Sequence, residues 1–276
     1  MRLVSLASGS KGNAVLVCTD NTRILVDCGI AAKRADESLK ALGIEKGLEA
    51  IDALLLTHEH SDHIRGVKRL MSAWQIPVYA TEGTLSSLSR VTGDEYFRYA
   101  GRALMEPVRA DFELEIGDIS ILPFSTYHDA AEPCAYSFGA AGENGTETAA
   151  AVLTDCGHYD DYITAHLTDL DALLLEANHD PEMLARGPYP MALKRRIFSP
   201  RGHMSNPDAG ELLARVFAPR LKSVLLGHLS MENNTHRIAL DTVGRTLRAL
   251  RGPEAADMLS LDVAPQNGLS RDLHFI

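Results

Sequence analysis

Three short apolar blocks punctuate this chain: Ile51–Leu56 (IDALLL), Leu170–Leu175 (LDALLL) and Val224–Leu226. Near-continuous apolar runs of this length read as strands buried on both faces. The rest of the pattern is periodic. Residues 1–28 read as two strands of a hairpin meander, in which LVSLAS, AVLVCTD and RILVDCG are separated by Gly9–Asn13 and by Asp20-Asn21. Further strands are expected at 76–80, in a hairpin of 112–116 with 119–124 around Gly117-Asp118, and in a pair, 135–139 with 149–154, around the polar loop Gly142–Thr148. Helical spacing marks 31–42 and a helix capped by Asp62 with Ile64, Val67, Leu70, Met71 and Trp74 inside. It also marks a helix opening at Asn206-Pro207 with Leu212, Leu213, Val216 and Phe217 inside, and 234–250 with Ile238, Val243 and Leu247 inward. Residues 81–110 show no clear period, and 251–276 reads as a loop ending in a last strand or hairpin. No linker or low-complexity stretch interrupts the pattern, so 1–276 is read as one domain.

The pattern repeats itself. Ile24–Gly29 (ILVDCG) resembles Ala151–Gly157 (AVLTDCG), and each is followed, after a helical stretch, by Asp-Ala-Leu-Leu-Leu, at Asp52–Leu56 and Asp171–Leu175. Two similar β/α halves packed together would produce this echo.

Composition narrows the setting. The chain is 45% hydrophobic and has no stretch near the ~20 apolar residues of a membrane span. Its start, MRLVSLASGSKGN, lacks the apolar core of a signal peptide. The four cysteines (Cys18, Cys28, Cys134, Cys156) form no CxxC and read as reduced, buried thiols of a cytoplasmic protein. A net charge of −10 disfavours broad non-specific binding of nucleic acid, although bases cluster locally at Arg65, Lys68 and Arg69 and at Lys194, Arg195, Arg196 and Arg201.

The chemistry gathers at strand ends. Directly after Ile51–Leu56 comes His58-Glu59-His60-Ser61-Asp62-His63, four potential ligands in six residues. Imidazole and carboxylate suit zinc, with manganese and iron as rivals. His58 and His60, two apart on an extended segment, face one side together. The other strand ends lead to His128, Asp155, Asn178-His179 and Gly227-His228. Strand ends of layered α/β folds converge on active clefts.

These residues resemble the metallo-β-lactamase fold superfamily. The HxHxDH block, a later His, an Asp in a TDxG context and a C-terminal GH all match, over roughly residues 1–250. The resemblance implies an α/β fold, a four-layer αββα sandwich of two similar halves. It implies two divalent metal ions (zinc or manganese, with iron as a further option), the first on His58, His60 and His128, the second on Asp62, His63 and His228, with Asp155 bridging. Asp27 would orient the metal loop from behind. His203, in Gly202-His203-Met204-Ser205-Asn206, resembles the histidine that phosphodiesterase branches place beside the scissile phosphate, where it could act with Asp62 in catalysis as the acid for the leaving oxygen. The helix start after Asn206 could then hold a phosphate oxygen. His179 and Ser205 are candidates for substrate contact or support of the ligands.

SGSKGN, ILVDCG, THEHSDH, YHDAAEP, EANHD, GHMSN and GHLSMENN, in that order, are similar to the YycJ/WalJ branch, which is associated with exonuclease action on double-stranded DNA from the 5′ end. DNA is thus the implied partner, with no membrane and no obligate protein partner evident. The chain lacks the inserted cap of β-CASP nucleases and the flexible basic arm of tRNA-processing relatives, so grip on a substrate falls to Lys194–Arg201 and residues 83–105. Tyr96, Phe97 and Tyr99 offer rings for stacking on bases, whereas Trp74 falls on a core face. Two other readings stand beside this one. One is a hydrolase of the same fold acting on a small cyclic phosphodiester, lactone or thioester. The other is a non-catalytic interaction protein stabilised by its metals.

Overall fold

In a computed structural model, which describes residues 1–142 and 145–275, the strands form two seven-stranded sheets. The first holds β1 (Arg2–Ala7), β2 (Ala14–Cys18), β3 (Arg23–Val26), β4 (Ala53–Leu55), β5 (Val78–Thr81) and β6 (Met105–Val108). The second holds β7 (Leu114–Ile116), β8 (Ile119–Ser125), β9 (Cys134–Ala141), β10 (Glu147–Leu153), β11 (Ala172–Glu176), β12 (Ser223–Gly227) and β13 (Ser260–Val263). A last strand, β14 (Leu273–His274), returns to the first sheet beside β1. The orders are β14-β1-β2-β3-β4-β5-β6 and β13-β12-β11-β10-β9-β8-β7. In each sheet an antiparallel run turns parallel at one strand, β3 in the first and β10 in the second. The ILVDCG and AVLTDCG echoes are those two strands with their exits.

Why the central blocks are apolar throughout is visible in alternation. Leu54 and Leu56 pack outward with helices α1 (Ala32–Ala41), α3 (Val67–Trp74) and α4 (Glu82–Thr92). Leu55 points inward between the sheets, with Ile24, Val26 and Tyr136. In the second sheet Leu173, Leu175, Val224 and Leu226 face α8 (Asn206–Val216) and α9 (His236–Arg251), while Leu174 and Leu225 face inward. A residue pair thus serves two different cores, and four layers result, helix–sheet–sheet–helix.

Several elements differ from the sequence reading. Residues 1–28 make three strands rather than two, because both Gly9–Asn13 and Asp20–Thr22 reverse the chain. The helix expected from Asp62 is broken into α2 (Ser61–Ile64) and α3. Asp62 does not cap it, for the residue at the cap position is His60. The break falls at Gly66, whose N–H donates to the Cys28 carbonyl at 2.7 Å and whose missing Cβ would lie 2.5 Å from Cys28 Sγ. Ser205, not Asn206, caps α8, accepting from the Asp208 N–H. Ile238 is only half-buried, and Ala239 takes the inward place. The aperiodic stretch 81–110 contains α4, capped by Thr81, two 3-10 turns and β6. The tail is no hairpin: α10 (Pro253–Met258) precedes β13, and β13 and β14 join different sheets. Of the loop 142–148, residues 143 and 144 lie outside the described residues, as does the final residue, 276.

All four cysteines are free and buried, and burial pushes the thiols of Cys28, Cys134 and Cys156 up to about 12. They stay protonated and unreactive in the native state. At pH 8 a maleimide reagent is expected to label the folded protein at fewer than about one site per chain and the urea-unfolded protein at all four. A second expectation concerns Gly29, where a Cβ would sit 1.5 Å from the Asp62 carbonyl oxygen. Gly29→Ala forces the first strand exit and the His58–His63 loop apart and should cost about 3 kcal/mol, read from the midpoint of urea unfolding.

Candidate metal centre

The parallel strands β3, β4, β10, β11 and β12 all end at one edge of the sandwich. Three of these exits take a left-handed turn at a residue with a Cβ: Asp27 after β3 (φ 59°), Asp155 after β10 (φ 55°) and His228 after β12 (φ 54°). That conformation is uncommon outside glycine, with Asp and His among the residues that enter it most readily, and it collects at functional sites. It turns each strand sharply at the edge where the histidine loop arrives.

The loop after β4 delivers His58, His60, Asp62 and His63 to this edge. One ligand atom from each of His58, His60 and His128 lies within 4.8 Å of the others, and the same holds for Asp62, His63 and His228. Asp155 joins the sets: Oδ2 is 3.1 Å from His63 Nε2, and Oδ1 is 3.6 Å from His128 Nε2. All seven residues named from the resemblance therefore meet, with every one but His60 and Asp62 buried.

What orients them lies behind. His63 Nδ1 meets Asp27 Oδ2 at 2.7 Å, and the same carboxylate accepts from the Thr57 N–H at 2.9 Å and the Thr57 hydroxyl at 2.8 Å. His58 Nδ1 rests on Thr57 Oγ1 at 3.0 Å, His128 Nδ1 on the Gly202 carbonyl at 2.9 Å, and His228 Nδ1 on Glu176 Oε1 at 2.9 Å. With Nδ1 engaged in each of these four rings, Nε2 is left for the cluster. The loop 8–13 braces both ligand sets. Asn13 Nδ2 stands 3.1 Å from His63 Nε2, and the His228 N–H donates to Ser8 Oγ at 2.7 Å.

The donor set fits divalent ions. His58 Nε2 is buried with no hydrogen-bond partner among the described residues, and Asp155 Oδ2 is buried with only the His63 ring nitrogen, at 3.1 Å, beside it. An orphaned atom of this kind is costly unless something else meets it. The charges demand cations as well. Burial disfavours a charged His228, yet Asp155, Asp62 and Glu176 hold it up to about 10. His63 is raised in the same way against its burial by Asp27, Asp155 and Asp62. Burial instead dominates at His58 and His128, which are lowered and stay neutral, ready to coordinate.

A cleft of about 390 Å³ opens over the cluster, lined by His60, Asp62, Asp155, His203 and His228 together with Tyr189 and Arg196. A larger cleft of about 530 Å³ lies across β8, β9 and β10, rimmed by Glu113, Glu115, Asp118, Glu147 and Asp169 with Arg220; it offers no imidazole or thiol. His203 stands beside both ligand sets, its Nδ1 2.9 Å from Glu176 Oε1 and 3.4 Å from Asp155 Oδ1. Glu176, at the end of β11, also accepts from the Cys156 and Met204 N–H groups at 2.8 and 3.2 Å. Burial works to raise its carboxyl, but His203 and His228 outweigh it and leave the group at about 2. Sequence reasoning quoted Glu176 only as context for EANHD, and missed Thr57, Asn13 and Ser8 likewise. The signal was there, since each lies inside a quoted motif or directly beside one.

Other expected residues sit elsewhere. His179 is buried outside the cleft lining, edge-on to Phe198, with neither ring nitrogen bonded among the described residues, and burial lowers it to about 4. Ser205 spends its hydroxyl on the cap of α8 and on Asp208 Oδ2 at 2.5 Å. Lys194 is turned inward, donating to the Ala185 carbonyl, and Arg201 donates to the His128 carbonyl. Of the basic side chains in 194–201, Arg196 alone among the described residues lines the cleft, braced by Asp129 at 2.5 and 2.8 Å. No helix among the described residues is long and apolar enough to cross a membrane.

The β-lactamase superfamily domain model matches residues 22–228. Over 88% of this chain and 87% of the relative, the sequence is 36% identical to exodeoxyribonuclease YycJ of Bacillus anthracis. It is 36% identical to exodeoxyribonuclease WalJ of Streptococcus pneumoniae over 94% of this chain and 93% of the relative. Among solved structures, the metallo-β-lactamase fold protein YhfI of Bacillus subtilis superposes with a TM-score of 0.65 at 18% identity, covering 98% of both chains. Two sheets related by an internal echo, their shared edge carrying HxHxDH, and these matches lead to one conclusion: the chain belongs to the metallo-β-lactamase-fold hydrolase superfamily, in its YycJ/WalJ branch.

Proposed function

We propose that this chain is a metal-dependent exodeoxyribonuclease that hydrolyses phosphodiesters at DNA ends, working from the 5′ end. The names of its YycJ and WalJ relatives support the exodeoxyribonuclease activity, and the polarity rests on the family resemblance. The observation that carries it furthest is His203: an imidazole next to both ligand sets, fixed through Nδ1 by a buried carboxylate, on the wall of an open cleft.

In this reading His58, His60 and His128 hold one divalent ion, and Asp62, His63 and His228 the other, with Asp155 shared. When bound, the ions activate water and offset charge on the phosphoryl oxygens. Asp27 and Thr57 keep the rings of His63 and His58 facing inward. Glu176 accepts from Nδ1–H of His203, and in the imidazolium form of the ring the second proton, on Nε2, is the one given to the leaving oxygen. Arg196, its guanidinium braced by Asp129, meets a phosphate with the N–H groups left over.

Metal-stripped protein reloaded with zinc or manganese is expected to release nucleotides from end-labelled linear duplex DNA. His203→Ala should lower kcat by about 10²–10⁴-fold with metal content unchanged, and Asp62→Ala should lose both an ion and the activity. Comparing 5′-labelled with 3′-labelled duplexes reads the polarity. Full metal occupancy with turnover of a small phosphodiester, lactone or thioester, and none of DNA, would move the chain to the small-substrate reading.

Proton release tests the ligand set separately. His63 and His228 are raised in the ion-free protein, His228 to about 10, so His228 carries a second ring proton at pH 8 and must lose it to coordinate. Zinc titration at pH 8, by calorimetry in buffers of differing ionisation enthalpy, should therefore release protons. His228→Ala should reduce this by about one.

A further inference from the structure

One part of the metal cleft lining carries no ligand and is largely apolar. Tyr189, Leu193, Arg196 and Ile197 line the cleft from α7 (Met191–Ile197) and the turn before it. They fall at i, i+4, i+7 and i+8, the spacing of a single helical stripe. Tyr189 is half-buried and belongs to none of the three apolar cores. Imidazoles apart, it is the only ring lining the cleft among the described residues; Tyr96, Phe97 and Tyr99 line no part of it. Pro188 and Pro190 flank it, and each fixes its own φ, which stiffens the backbone presenting the ring. The segment is pinned at both ends. Lys194 Nζ donates to the Ala185 carbonyl at 2.7 Å, and a Cβ on Gly187 would lie 2.4 Å from Asn233 Oδ1. At the other end the His203 N–H donates to the Ile197 carbonyl at 3.1 Å, so this wall and the proposed acid belong to one framework. Asp129 holds Nε and Nη2 of Arg196, and Nη1 remains for an anion.

We propose that this wall is a stacking platform for the terminal nucleotide of the DNA, with the base on the Tyr189 ring, Leu193 against the sugar and Arg196 on the adjoining phosphate. The inference rests on the nuclease reading and deepens it by stating how the strand is gripped. A nucleotide joins a flat apolar ring to an anion, and the cleft sets a tyrosine and a leucine beside an arginine and the ligand sets. An enzyme that shortens DNA from an end meets every base in turn. A grip on base edges would stall it, whereas every base has a π-face and stacking tolerates all four. A base lying on Tyr189 has left its partner, so the strand enters the cleft unpaired. A lactone or thioester without a ring would gain nothing from the platform.

The test compares linear DNA whose attacked end carries a base with the same DNA made abasic at that terminal nucleotide, using the zinc-loaded protein. The abasic end should have about tenfold lower kcat/KM. Tyr189→Ala should lose a similar factor on the base-bearing end, mostly through KM, and treat the two ends alike at unchanged zinc content. Tyr189→Phe keeps the ring and should keep the preference. In parallel, equilibrium binding of dAMP and of 2-deoxyribose 5-phosphate reads the base without any cleavage. The two phosphates meet the ions identically, and dAMP should bind about tenfold tighter to the native protein but not to Tyr189→Ala. Cleavage with no dependence on the terminal base, or a dependence that survives Tyr189→Ala, overturns the platform and leaves the nuclease reading standing. Tyr189-dependent binding of dAMP with no cleavage of either DNA would uphold the platform and overturn the nuclease reading instead.

Discussion

Mutual repulsion among buried carboxylates governs this structure. Asp27, Asp155 and Glu176 are buried at one edge of the sandwich and Asp62 nearly so. Anions this close cannot coexist in a low dielectric without cations among them. Imidazolium can serve at His63 and His228, and divalent ions serve better, since they also meet the orphaned His58 Nε2. The surrounding loops bring donors to the same groups. Thr57 supplies two hydrogen bonds to Asp27, and Cys156 and Met204 supply backbone N–H groups to Glu176. A cluster so charged is held in place by neighbours that are themselves bonded, which is how a metal site keeps its geometry.

The two halves share a backbone device and use it differently. Asp27 and Asp155 leave equivalent strands, β3 and β10, in the same left-handed turn, and a cysteine and a glycine follow each. At both glycines a Cβ would collide with a neighbouring backbone, Asp62 behind Gly29 and Gly202 behind Gly157. One aspartate faces back into the protein to hold Thr57 and His63; the other sits between the ligand sets. The repeated strand exit is a scaffold, and the residues arriving from other loops decide what each copy does.

The sequence was most legible where one physical rule acted alone. LDALLL-type blocks announce strands buried on both faces, and HEHSDH is too dense in ligands to be a surface accident. The fold class and the convergence of seven residues followed from these together with the family resemblance. Legibility failed where tertiary contacts override local pattern. The helix after Asp62 breaks because Gly66 is drawn to the Cys28 carbonyl, which no periodicity records. Helix α4 was missed because its inner face is partly Thr84 and Ser87, buried polar residues that dilute the apolar stripe. Glu176 went unrecognised because a glutamate ending an apolar strand reads as the strand's solvent exit, and only its two histidine contacts reveal otherwise.

The bond between Ser8 Oγ and the His228 N–H, at 2.7 Å, joins residues 220 positions apart in the chain. During synthesis the first half, with HEHSDH, is complete long before His228 has been made. Until then the second ligand set lacks one donor and His63 and Asp62 stand without their partner. The second ligand set as proposed therefore closes only after residue 228 has been made. The first ligand set, His58, His60 and His128, is by contrast complete in sequence by residue 128, so the two sets become available at different times.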